Sequence, residues 1–139
     1  MKKILMCIPE GEGTTADRFE MKVIGVAGHR MSCVCRDMES LESELRKPWT
    51  LYSLVILYAG TDEDLEQFIS FQELLEAKPV LMVLSGSSPD ICKRAHLLRP
   101  RFISFSDGDF SDFAAVLQKM ILNQEGKLPQ TGEEKAAGD

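Results

Sequence analysis

The chain has 139 residues, 44% hydrophobic and 27% charged, which suits one folded domain around a single core and is too little for two. Its formal net charge of −6 argues against nucleic acid as a partner, because phosphate-backbone binding needs clustered Lys and Arg to displace counterions. No apolar run approaches the about 20 residues of a membrane helix, and Ile4 to Ile8 behind Lys2-Lys3 is too short for a signal-peptide core, so a cytoplasmic protein without membrane contact is expected.

Strand-like runs recur at Lys3 to Ile8, Met31 to Cys35, Leu54 to Tyr58, Val80 to Leu84 and Phe102 to Phe105, with helical spacing between them. This alternation predicts an α/β fold, a parallel sheet covered by helices on both faces. The first helix is expected to start after Thr14 or Thr15 as cap, to turn Ala16, Phe19, Val23, Ile24 and Ala27 inward, and to stop at Gly28. Asp37 caps a short second helix with Leu41 and Leu45 inward and a solvated face of Glu39, Glu42 and Glu44. The third opens on Thr61-Asp62-Glu63-Asp64 and continues through Leu65, Phe68, Ile69, Gln72 and Leu75. Ser88-Pro89 starts the fourth, with Ile91, Ala95 and Leu98 on one side. The fifth starts near Asp109 and buries Phe113, Val116, Leu117, Met120 and Ile121. The domain is thus expected over residues 1–122, and 123–139 as a disordered C-terminal tail or linker with little apolar content to offset ordering entropy.

The third strand-like run ends at Tyr58. In open α/β folds such a position faces the crevice where ligands bind. A carboxylate there can take a phosphoryl group or hold a metal; a tyrosine does neither well, and its ring is expected to fill space instead. The four cysteines, Cys7, Cys33, Cys35 and Cys92, have no zinc-finger spacing and are read as reduced. Cys33 and Cys35 face one side of their strand, and a thiolate cluster with Cys7 is weighed against core filling, which is favoured. His29 and His96 lack an evident partner. Gly11-Glu12-Gly13 lacks the remaining residues of either nucleotide-binding loop, and turn chemistry accounts for Ser85-Gly86-Ser87-Ser88. No catalytic residue, metal site or cofactor is expected.

Lys3-Ile4-Leu5-Met6, Gly28-His29-Arg30-Met31, Ser53-Leu54-Val55-Ile56-Leu57 and Lys78-Pro79-Val80-Leu81-Met82-Val83 resemble the first strand, the lead into the second, and the third and fourth strands of response-regulator receiver domains. The resemblance covers about residues 2–122. It implies a flavodoxin-like three-layer α/β/α sandwich with a five-stranded parallel sheet in the order 2-1-3-4-5. The receiver's acid pair aligns with Ile8 and Pro9, leaving Glu10 the nearby carboxylate; its phospho-accepting aspartate aligns with Tyr58, its hydroxyl residue with Ser85 and its lysine with Phe105. Acid pair, acceptor and lysine are absent, which implies a pseudo-receiver with a degenerate phosphorylation pocket and little to hold a divalent cation.

The expected function is therefore a non-enzymatic signalling module that works by protein contact without aspartyl phosphate. The resemblance implies an output or homodimer surface made by the fourth helix, fifth strand and fifth helix. Candidate contacts to an acidic protein partner are Lys93, Arg94, Arg99, Arg101, Phe102 and Phe110, with Phe102 packed in one state. Two alternatives are a phosphocysteine carrier of the IIB type using Cys7, and a small-ligand sensor in the crevice around Glu10, Tyr58 and Ser85. Against the carrier, Pro9 lacks an amide hydrogen, and Glu10 and Glu12 repel phosphate.

Overall fold

The apolar runs become five strands, β1 (Lys3–Cys7), β2 (Met31–Cys35), β3 (Tyr52–Ala59), β4 (Val80–Leu84) and β5 (Phe102–Phe105), in a computed structural model that describes residues 3–11, 13–47, 52–76, 78–86 and 88–124. All pair in parallel, in the order β2-β1-β3-β4-β5. The inner strands β1, β3 and β4 are covered on both faces, which is why they read as near-continuous apolar runs. β5, at one edge, stays half-buried along its length.

The helices are α1 (Thr14–Ala27), α2 (Met38–Arg46), α3 (Asp62–Ser70), α4 (Gln72–Leu75), α5 (Pro89–Ala95) and α6 (Ser111–Gln124). Side chains alternate across the sheet with period two and build two cores. Leu5, Cys7, Val55, Leu57 and Met82 pack under α2 to α5, against Leu41, Leu65, Phe68 and Ala95. Ile4, Met6, Ile56, Tyr58 and Leu81 pack under α1 and α6, against Phe19, Val23, Phe113 and Leu117. The result is the flavodoxin-like three-layer sandwich in the expected strand order.

Capping follows the chain's hydroxyl and carboxylate residues. Asp37 accepts from the Ser40 N–H, Thr61 from Asp64 and Ser88 from Ile91. Gly28 ends α1 at φ 57, a left-handed value that glycine takes without strain. α1 itself departs from expectation. Its cap is Gly13, with no side-chain cap bond, because the chain is already helical at Thr14. Ile24 is 41% exposed and not part of the core. The expected third helix is two, broken at Phe71, whose φ of −98 and ψ of 19 leave the helical range, so the expected fourth and fifth helices are α5 and α6. α6 runs to Gln124, two residues beyond the expected boundary; the expected tail from 125 on lies outside the described residues.

Candidate functional site

Tyr58 faces the α1–α6 side, as its neighbours Leu54 and Ile56 do, and is 2% exposed. Its ring lies 5.3 Å from that of Phe19. Phe19 meets Phe110 at 5.0 Å and Phe113 at 4.9 Å, both edge-on, the arrangement that aromatic quadrupoles favour. Phe110 has φ 65, uncommon for a bulky residue, and this turn drives its ring inward. Beside it, Asp109 Oδ1 accepts from the N–H and Oγ of Ser111, and Lys22 of α1 donates to the Asp109 carbonyl. Four aromatic rings thus occupy the space around the end of β3.

The loop after β1 is held by two backbone bonds, Ile8 N–H to the Cys35 carbonyl and Glu10 N–H to that of Arg36. Ile8 is buried and Glu10 exposed. Ile8, Pro9 and Glu10 line an open cavity of about 350 Å³ with Gly13, Asp17 and Arg36. A neighbouring one of about 280 Å³ adds Asp37, Asp64 and Gln67. Arg36 is engaged bidentately by Glu20 at 2.6 and 2.7 Å, and this bond raises its pKa further. With that cation paired, Glu10, Asp17, Asp37 and Asp64 leave the crevice acidic. Among the described residues, no group of three or more His, Cys, Asp or Glu is arranged to hold a metal ion.

The six residues aligned with a receiver pocket do not share one pocket. Ile8, Pro9 and Glu10 line the crevice, and Ile8 is also buried with Tyr58 in the cluster under α1 and α6. Ser85 is exposed beyond β4, its N–H bonded to the Ala59 carbonyl. Phe105 packs on the opposite face of the sheet from Tyr58, beneath α2 to α5. Alternation along the strands sets Phe105 on the face opposite Tyr58, while Pro9, Glu10 and Ser85 lie in the loops beyond β1 and β4.

Cys7 is fully buried, its Sγ 4.0 Å from the Asp37 carbonyl. Burial first, then the nearby carboxylates of Asp64 and Asp37, push its thiol up to about 12. Cys35, its register partner on β2, is likewise pushed up by burial and by Cys33, whose sulfur lies at 3.9 Å. These thiols are core groups with their thiolates disfavoured. His29 and His96 are exposed.

On the α5–β5 side, Lys93, Arg99 and Arg101 are exposed, while Arg94 forms an ion pair with Glu66 of α3. Phe102 is half-buried, its ring 6.5 Å from that of Phe113. Phe110 corrects the expectation of a contact residue: at 3% exposed it belongs to the aromatic cluster. Leu97, which no sequence signal marks, is 49% exposed beside this basic group. Glu44, expected on a solvated face, is half-buried. It accepts from Tyr52 Oη and Lys47 Nζ, each at 2.6 Å. The Glu44–Lys47 spacing of three was the available signal.

No family model matches this chain, and no curated protein matches it. Solved structures do. A CheY-like response regulator receiver domain from Methanospirillum hungatei JF-1 superposes with a TM-score of 0.65 at 9% identity, covering 92% of this chain and 100% of that one. The receiver domain of an HD domain-containing protein from Pseudomonas fluorescens Pf-5 gives 0.67 at 10% identity, with 91% and 99% covered. The Mn(2+)-bound form of response regulator Rcp1 gives 0.61 at 12% identity, with 96% and 99% covered. At such identities the likeness shows the fold, and this chain has the fold of a response-regulator receiver domain.

Proposed function

We propose that this chain is a signalling or regulatory domain of receiver fold, a pseudo-receiver that acts in the cytoplasm by protein contact and is not itself an enzyme. The observation that carries the reading is the burial of Tyr58 against Phe19, with Phe110 and Phe113 alongside. At the position aligned with a phospho-accepting carboxylate, this chain has a buried aromatic cluster and no carboxylate. The aligned acid pair, Ile8 and Pro9, offers no carboxylate, and Glu10 lies in a crevice that Tyr58 does not enter.

Output then runs constitutively through the face of α5, β5 and α6. Lys93, Arg99 and Arg101 are exposed there in a chain of net charge −6, a local field of opposite sign to the whole, which steers an acidic partner. Arg94 differs from these three in pairing with Glu66 of α3. The test is a pull-down, then association kinetics at low and high salt with wild type and Arg99→Glu/Arg101→Glu. Association slowed by both salt and reversal is expected. A partner whose association responds to neither places the interface elsewhere, and self-association through this face would show as a salt-sensitive dimer.

A further inference from the structure

Cys33 and Cys35 stand two apart on β2, at the edge of the sheet, so strand alternation turns both side chains to one face, and their sulfurs lie 3.9 Å apart. Cys35 is buried and Cys33 half-buried. Both line an open cavity of about 690 Å³ walled by β2 and α2, and the carboxylates of Glu10, Asp37, Glu39 and Glu44 share that lining. Arg36, also there, is already held by Glu20. The approach to the thiols is therefore acidic and draws cations.

Among the described residues, no third His, Cys, Asp or Glu joins the pair to make a metal-binding group. Two thiols alone do not make a closed zinc site, which takes four ligands, nor a site for Mg²⁺ or Ca²⁺, which take oxygen. They suit a soft cation that is content with few sulfur ligands. A metal–thiolate bond is about 2.3 Å long, so two of them reach about 4.6 Å when linear and less when bent. Sulfurs 3.9 Å apart bracket such a cation after little movement, which half-buried Cys33 can supply. We infer that Cys33 and Cys35 form a two-thiol site for a soft monovalent cation of the Cu(I) class. Two metal–sulfur bonds form as bonds to the delivering ligand break, both thiol protons leave to water, and no oxidation state changes. Burial disfavours a bare thiolate at Cys35, whereas a coordinated one shares its charge with the cation. The complex keeps one negative charge, and Lys47 stands near it: its pKa is raised first by its bond to Glu44 and in smaller part by charge on Cys33 and Cys35.

The probe is Cu(I) held by a chromophoric chelator, titrated without oxygen against the full-length reduced chain, with capture read as loss of the chelate's colour. One Cu(I) per chain is expected, with affinity lowered about a hundredfold or more in Cys33→Ser, since loss of even an outer partner of a metal ligand costs up to about that much. Cys92→Ser, which removes a half-buried thiol on α5, should bind as wild type does. A measurement on wild type alone guards against a variant that fails to fold: bound Cu(I) should protect Cys33 from alkylation and leave Cys92 reactive. Failure to capture Cu(I), capture unaltered by Cys33→Ser, or protection of Cys92 in place of Cys33 overturns the site.

Discussion

The ring of Tyr58 rests against that of Phe19, centroids 5.3 Å apart and planes tilted by 45°, so the residue at the end of β3 is a member of the core. An aspartate is poorly accommodated there. Tyr58→Asp removes a buried ring and leaves a carboxylate in an apolar cluster, and should cost about 3–5 kcal/mol. Tyr58→Phe keeps the ring and should cost no more than about 1 kcal/mol. Denaturant unfolding of the two variants beside wild type checks both figures.

The thiols make a second prediction. Cys7 should label slowly with a thiol reagent in the native state and quickly after denaturation, and should take up no phosphate from a phosphohistidine protein. Half-buried Cys33 should label sooner. Because folding raises the Cys7 thiol from its ordinary 9.0 to about 12, the neutral form favours the native state. That contribution is complete below pH 9 and is lost as pH rises toward 12, since the unfolded chain ionises first. Cys35 and Tyr52 shift in the same direction, so Cys7→Ala should flatten the alkaline loss of stability in part. Rapid native labelling of Cys7 with stoichiometric phosphate uptake would revive the carrier alternative.

Glu44 is the third. Hydrogen bonds from Lys47, then from Tyr52, hold its carboxyl below the ordinary 4.5. A lowered carboxyl contributes stability at neutral pH that is lost as pH falls through the lowered value. Glu44→Gln should therefore cost about 1–2 kcal/mol at neutral pH and little in acid. Unfolding curves of the variant and wild type at the two pH values decide it; an equal cost at both would assign the effect to packing.

The fold was legible because the strands are apolar runs with punctuation at both ends. Met31 to Cys35, Val80 to Leu84 and Phe102 to Phe105 fall where the alternation places them. Tyr52 at the start of β3 lies outside both the apolar run, which begins at Leu54, and the receiver-like string, which begins at Ser53, because a tyrosine and a serine interrupt the apolar pattern, though Tyr52 is buried with its hydroxyl on Glu44. The break at Phe71 carries neither glycine nor proline, and helical spacing runs straight through it. At the candidate site, Tyr58 as a space-filling ring was legible from its position. The turn that sends Phe110 inward was not, because its left-handed φ depends on tertiary packing, and a phenylalanine beside Asp109 reads equally well as surface. The pairing of Arg94 with Glu66 joins two helices far apart in sequence, which no local pattern announces.

The central claim is that the end of β3 has no phosphorylation chemistry. Its most direct test is an amide NMR titration of the full chain with Mg²⁺ and beryllofluoride, which together mimic an aspartyl phosphate. The account predicts no saturable shift in the loops after β1, β3 and β4. Saturable changes centred on residues 8–10, 58–60 and 85 would contradict it.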